Sequence, residues 1–221
     1  VFTVTSDQRW TFLLGELGAA GRRELGRYMW HEGDEYVRFL AEFFLRRSNR
    51  STVQRHLLGF LDTFPSFEDL ADADPEDVVA AARWAGLRKR VARLPEVARE
   101  FLSRETWSSD DLEHLPHLGR YASQGIALYV LDQPAFPVDN NVRRVVGRYL
   151  GLKSEEEVLG AAAVIVERVM TEGGVGLLKD VHRGALALGW RPCARKPRCE
   201  ACPLACACDH ALGRRTGSAV A

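Results

Sequence analysis

The chain has 221 residues, 46% of them hydrophobic, and its thirty basic residues balance thirty acidic ones for a formal net charge of zero. The hydrophobic share supports a packed core of one large or two small domains, and the longest purely apolar run, AAAVIV at 161–166, is too short to cross a bilayer. Neutrality argues against a uniformly basic nucleic-acid binder, although phosphates respond to local charge.

The first residues, VFTVTSDQRW, lack the charged-then-apolar layout of a signal peptide, so the expectation is a cytoplasmic protein. YVRFLAEFFLRR at 36–47 predicts a helix with Tyr36, Val37, Leu40, Phe43 and Phe44 on one face. Asp74 and Pro75 supply a cap and a first-turn proline for EDVVAAARWAGL, and Gly86 can close that helix. At 115–123, LPHLGRYAS reads as a tight turn between two helices, with Gly119 free to adopt unusual backbone angles. Asp139 precedes NNVRRVVGRYL, and local context favours an N-cap there. Ser154 and Glu157 form a capping-box pattern ahead of VLGAAAVIVERVM. No repeat or useful alternating strand pattern occurs, so the predicted fold class is all-α.

Cations gather in LRRSNR at 45–50, LRKRVAR at 87–93, Arg143–Arg144 and ARKPR at 194–198. Each of these reads first as a solvated helix face. All five cysteines lie between 193 and 208. Cys193, Cys199, Cys202 and Cys208 form a C-x5-C-x2-C-x5-C pattern that can converge on one metal centre, with Cys206 left over. Four thiolates suit zinc or an iron–sulfur cluster, and spacing alone does not choose between them. Either centre would staple a segment too poor in apolar residues to fold alone, holding ARKPR at a fixed surface site where it could meet phosphate.

Taken in order, LPHLGRYAS, FPVDNNVRRVVGRYLG and the cysteine string resemble the endonuclease III superfamily of DNA glycosylases. MWHEGDEYVRFLAEFFLRRS resembles that family's N-terminal region as well, so the likeness runs from about residue 20 to residue 208. The chain departs from the family pattern at His117, which replaces the first glycine of the hairpin, and at Met29-Trp30-His31, which replaces Pro-Trp-Arg. Its first cysteine gap is one residue shorter than the family's.

The resemblance implies two helical domains: a six-helix hairpin domain over 37–134, and a second domain combining 1–36 with 135–221 that carries the cluster loop at 193–208. It implies a [4Fe-4S] cluster rather than zinc on Cys193, Cys199, Cys202 and Cys208. The expected partner is double-stranded DNA bound by a monomer, with one base flipped into an interdomain cleft and no role for a membrane. The hairpin residues Leu115, Pro116, His117, Gly119 and Arg120 would grip a phosphate. Arg46, Arg47, Ser48 and Asn49 would enter the duplex, with Arg183 on a second insertion loop. Asp139 would stabilise positive charge developing on the sugar, and Glu42 would hydrogen-bond or protonate the leaving base.

Tyr121 stands where bifunctional members carry a Schiff-base lysine, and the chain has only Lys89, Lys153, Lys179 and Lys196. The resemblance therefore implies a monofunctional glycosylase that leaves an abasic site. LRRS and Tyr121 point to thymine or uracil opposite guanine. An adenine glycosylase, a modified-base enzyme, a bifunctional lyase and a catalytically silent DNA-binding module are the other readings. The paired carboxylates Glu42 and Asp139 favour an enzyme over the silent module, and Tyr121 disfavours the lyase.

Overall fold

A computed structural model describes residues 6–45, 48–115 and 118–213. Every regular element among them is helical, as the absence of alternating patterns predicts. No helix among the described residues is long and apolar enough to cross a membrane.

The chain divides into two compact units. One spans Gly26–Ala135, and the other joins the residues up to Leu25 with those from Phe136 onward. The first boundary thus falls eleven residues earlier than the sequence suggested. The reason is local: Trp30 is buried, and the Met29 backbone N–H donates to Gln54 Oε1 at 3.0 Å, which ties residues 26–36 to the hairpin unit.

Within the Gly26–Ala135 unit run α2 (Glu35–Leu45), α3 (Arg50–Thr63), α4 (Phe67–Asp72), α5 (Pro75–Ala81), α6 (Arg88–Val91), α7 (Leu94–Leu102), α8 (Ser109–His114) and α9 (Gly119–Tyr129). Several of these α-helical segments are short, because caps and prolines divide the chain finely. Ser66, Asp74 and Ser108 cap α4, α5 and α8, and Pro75 and Pro95 sit in first turns. Helix α2 is buried more widely than one face. Phe39, Leu40, Phe43 and Phe44 have no exposure, whereas Val37 is only half-buried. Packing of α2 against both α3 and α9 accounts for this. The surrounding core is aromatic: Phe39, Phe67, Phe101 and Trp107 form a run of ring contacts with centroids 4.9–5.7 Å apart.

The other unit holds α1 (Ser6–Arg22), α10 (Asn140–Leu150) and α11 (Glu155–Trp190), the last interrupted by non-helical angles at Gly174. The expected capping box opens α11. Ser154 Oγ accepts from the Glu157 N–H at 3.1 Å, and Glu157 Oε2 accepts from the Ser154 and Lys153 N–H groups. Those backbone donors, Ser154's first, hold the Glu157 carboxyl below its ordinary pKa. The folded state thus gains from this carboxylate above the unfolded pKa and loses that gain as pH falls through the depressed folded value.

Helices α1 and α11 approach closely through glycines. A Cβ on Gly21 would lie 2.6 Å from the carbonyl carbon of Asp180, and one on Gly184 would lie 2.7 Å from that of Leu17. Backbone cannot yield as a side chain does. Gly184→Ala should therefore lower stability by about 3 kcal/mol in urea denaturation. The same change at Gly160, whose Cβ would meet nothing within 4 Å, should not destabilise. Equal midpoints for the two variants would contradict the close helix contact.

Candidate active site

Asp139 is both the last residue of an extended approach and the N-cap of α10. Its Oδ1 accepts from the N–H groups of Asn141 at 2.7 Å and Val142 at 2.8 Å. Its Oδ2 accepts from Asn141 Nδ2 at 2.7 Å. Three donors on two oxygens fix the carboxylate's plane at a helix end that favours negative charge.

The donors are themselves braced. Asn141 Oδ1 accepts from Arg144 Nη2 at 2.7 Å. The same guanidinium donates to the carbonyls of Gly189 at 2.6 Å, Cys193 at 2.8 Å and Asn140 at 3.0 Å. Arg144 is therefore a spacer between the cysteine loop and the asparagine that orients Asp139, and the solvated-face reading of Arg143–Arg144 fails for it. The approach segment is held from the other side. His182 is buried, its Nε2 is 2.9 Å from the Pro137 carbonyl, and its ring meets Phe136 edge-on. A carbonyl only accepts, so Nε2 carries the proton in this bond.

In the Gly26–Ala135 unit, the described residues that flank the α8–α9 junction are Leu115, Leu118 and Gly119. Leu115 takes the extended angles imposed by a following proline, Leu115 and Leu118 are buried, and Gly119 has φ 70°. Ser123 Oγ donates to the Leu112 carbonyl at 2.7 Å, tying the second helix to the first. Arg120 is exposed, with its Nε 3.8 Å from a Glu113 oxygen. Pro116 and His117 lie outside the described residues, as do Arg46 and Arg47.

Glu42 is only 7% exposed. It projects from α2 onto α9 at Gly125, where a Cβ would crowd its carboxyl group. Tyr121 lies one helical turn before Gly125, on the face of α9 that Glu42 meets at Gly125. Asn49 is committed locally: it caps α3, and its Oδ1 accepts from the Thr52 N–H at 2.9 Å and the Ser51 hydroxyl at 2.6 Å. Ser48 is half-buried, its N–H directed to the Phe44 carbonyl at 3.3 Å. Arg183 is not on a loop. It lies inside α11 with its side chain 12% exposed and paired to Asp180 at 3.2 Å, in the stretch of that helix that runs on from Gly174 to Trp190.

The cysteine loop wraps the C-terminal half of α10. Arg148 Nη1 donates to the Ala194 carbonyl at 2.7 Å and approaches Cys193 Sγ at 3.4 Å, and its Nη2 donates to the Arg195 carbonyl at 3.1 Å. Beyond Cys208, the Asp209 N–H donates to the Tyr149 carbonyl at 3.1 Å. The fully buried Asp209 carboxylate meets Arg9 of α1 at 2.9 Å. Tyr149 Oη in turn donates to the Arg9 carbonyl at 2.9 Å, and burial pushes this phenol up to about 12.

None of the five cysteines is in a disulfide. Burial raises the Cys202 and Cys208 thiols, and both also feel Cys193 and Cys199, so these four act on one another. Cys206 is exposed. Among the described residues, no group of three or more His, Cys, Asp or Glu side chains is set to hold a single metal ion. Beside α10, a recess of about 430 Å³ is lined by Arg143, Arg148, Lys153, Arg195 and Glu155, among others.

Sequence reasoning missed Asn141, Arg144, His182 and the Arg9–Asp209 pair. An asparagine two residues after a candidate cap and an arginine three further on, on the same helix face, was the available signal for the first two. Arg144→Lys should keep the helical circular dichroism yet slow any reaction that the Asp139 carboxylate serves by about 10- to 100-fold, because an ammonium cannot span four acceptors. An unchanged single-turnover rate would show that the brace does not set Asp139.

Residues 40–168 match the family described as HhH-GPD superfamily base excision DNA repair protein. A thymine/uracil-DNA glycosylase of Pyrobaculum aerophilum is 30% identical, with 78% of this chain and 79% of that protein covered. A human adenine DNA glycosylase is 28% identical over 78% of this chain and 33% of its own length. Among solved structures, a thermostable thymine-DNA glycosylase superposes with a TM-score of 0.79 at 23% identity, covering 94% of this chain and 99% of that one. A trapped endonuclease III–DNA covalent intermediate superposes at 0.77 with 18% identity, covering 96% and 100%. With more than half its length matched by the family and its helical fold shared with these structures, the chain belongs to the HhH-GPD superfamily of base excision DNA repair proteins.

Proposed function

We propose that this protein is a monofunctional DNA glycosylase that removes thymine or uracil mispaired with guanine. The observation that carries the reading is the Asp139 carboxylate, held by three donors at the N-terminus of α10. As the N-glycosidic bond breaks, its electron pair leaves with the base and positive charge develops at C1′. Asp139 stabilises that charge, and water then adds. Glu42, on α2 with its carboxyl group against Gly125 of α9, hydrogen-bonds or protonates the departing base. Tyr121 offers no amine for a Schiff base, so the product is an abasic site with both strands intact. The names of the thymine/uracil-DNA glycosylase relatives support the choice of base.

The partner is double-stranded DNA with one nucleotide turned out of the stack, bound by a monomer in the compartment that holds the DNA. Leu115, Gly119 and Arg120 grip one phosphate from the α8–α9 turn. Arg195 and Lys196, on the loop between the first two cysteines, meet another beside the basic recess. Cys193, Cys199, Cys202 and Cys208 hold a [4Fe-4S] cluster, and zinc is the other centre that such ligands suit. The mutual influence of these four thiols and the Arg148 donor to Cys193 Sγ fit a multi-thiolate centre. Its chemistry here is structural: it fixes the loop against α10.

Single-turnover release should be seen from T·G or U·G duplexes, with strand breaks only after hot alkali, and Asp139→Asn should slow it by about 10²- to 10³-fold. Release of adenine opposite 8-oxoguanine instead would move the protein to the adenine branch with the same machinery. No release from any of these duplexes would overturn the choice of base and leave a modified-base glycosylase or a catalytically silent DNA-binding module. Purified protein should be brown and carry iron and acid-labile sulfide in equal amounts. A colourless zinc protein would overturn the cluster assignment.

A further inference from the structure

Gly125 lies inside α9, where a glycine costs about 1 kcal/mol relative to alanine and needs a reason. It is buried and its backbone is helical, so no turn or unusual φ explains it. What explains it is its neighbour. A Cβ there would lie 3.2 Å from Glu42 Cδ and 3.5 Å from Cγ, and closer still to Oε2. The other buried helical glycines face different partners: Gly21 and Gly184 meet the backbone of a packed helix, Gly189 meets Asn141, Gly147 meets Leu152 and Val158, and Gly18 meets the side chains of Arg22, Leu177 and Val181. At Gly125 the three nearest atoms all belong to the side chain of one buried acid.

We propose that Gly125 is a positioning residue for Glu42, its bare Cα forming the niche that seats the carboxylate. This deepens the proposed function and rests on its assignment of Glu42 to the leaving base. The environment leaves the carboxylate little choice of place. Leu40, Ala41, Phe43 and Phe44 around it on α2, and Ala122 and Ile126 around Gly125 on α9, have no exposure. A methyl group at 125 forces the carboxylate back by about 1 Å to reach ordinary contact. The yielding atoms are the end of a side chain rather than backbone, so the fold tolerates the change while the carboxylate's placement does not. An error of that size at a reacting centre can cost about 10²-fold.

The test uses the full-length protein and single-turnover release from U·G and A·8-oxoguanine duplexes. Gly125→Ala should lower the rate on the active duplex by about 10- to 100-fold, shift its pH–rate profile, and leave duplex affinity and melting temperature unchanged or raised. Glu42→Asp shortens the acid by one methylene and should be slow alone. Combined with Gly125→Ala it should be faster than the product of the two single losses, because the shorter acid vacates the niche. Multiplicative losses, or a Gly125→Ala protein that merely melts lower, would make Gly125 structural and overturn the proposal. A full-rate Gly125→Ala beside a crippled Glu42→Gln would also overturn it while leaving the reading of Glu42 intact. A full-rate Glu42→Gln would bring down that reading, and the proposal with it.

Discussion

The hydrogen bonds that close the N-terminus of α10 are the constraint on which the rest of the candidate site depends. A helix start leaves backbone donors without partners, and a capping side chain is worth about 1 kcal/mol for supplying acceptors. Asp139 supplies them with one oxygen and takes the Asn141 amide on the other. The bonds that begin the helix therefore also aim the carboxylate. Capping and catalysis, which compete as readings of the sequence, become one arrangement under the proposed function. The proposed role for Asp139 would not strain the fold, because it uses the orientation that the helix already requires.

That arrangement extends through the C-terminal loop. Arg144 joins Asn141 to the carbonyls of Gly189 and Cys193, and Arg148 joins the same helix to Ala194 and Arg195. After the last cysteine, the buried Asp209 meets Arg9, whose guanidinium also donates to the Tyr149 carbonyl at 2.8 Å. The loop is thus pinned at both ends to α10 and to α1. A metal centre on the four cysteines would act on Asp139 through distances that two arginines hold fixed, not through any contact with substrate. This gives a physical reason for a structural centre to accompany a hydrolytic active site. It also places the loop's integrity upstream of the carboxylate's orientation.

Local chemistry was legible in the sequence, and long-range chemistry was not. Asp74, Ser154 and Asp139 cap the helices that their patterns predict, and Gly119 takes the positive φ that the turn demands. Each of those signals is complete within a few residues. Arg144 sits beside Arg143 in a pattern that reads as surface charge, yet its partners lie 45 and 49 residues away. Gly21, Gly125 and Gly184 look no different from Gly160 or Gly176, which have open space around them. Arg183 failed as a loop residue for the opposite reason: a remote alignment was set against a helical period that continues through it. Tertiary contact, not local pattern, decides such residues.

The same distinction resolves the neutral net charge. Many of the charges are spent inside the molecule on helix ends. Acids sit at N-termini, as Asp74, Asp111, Asp139 and Glu157 do, where backbone N–H groups need acceptors. Arginines serve orphaned carbonyls: Arg9 at Tyr149, Arg99 at Ala71, Arg144 at Gly189, Arg148 at Ala194. A charge satisfied in this way says little about what the surface attracts, so a formal count of zero is a poor guide to affinity for phosphate. What matters is where cations collect without matching acids. The recess beside α10 is such a place: Glu155 meets Arg143 at 3.3 Å and Arg148 serves the loop carbonyls, which leaves Lys153 and Arg195 as the excess cations of its lining. It lies on the helix whose first turn holds Asp139, so the local field that would draw a phosphate backbone and the carboxylate that would act on its sugar are carried by one element.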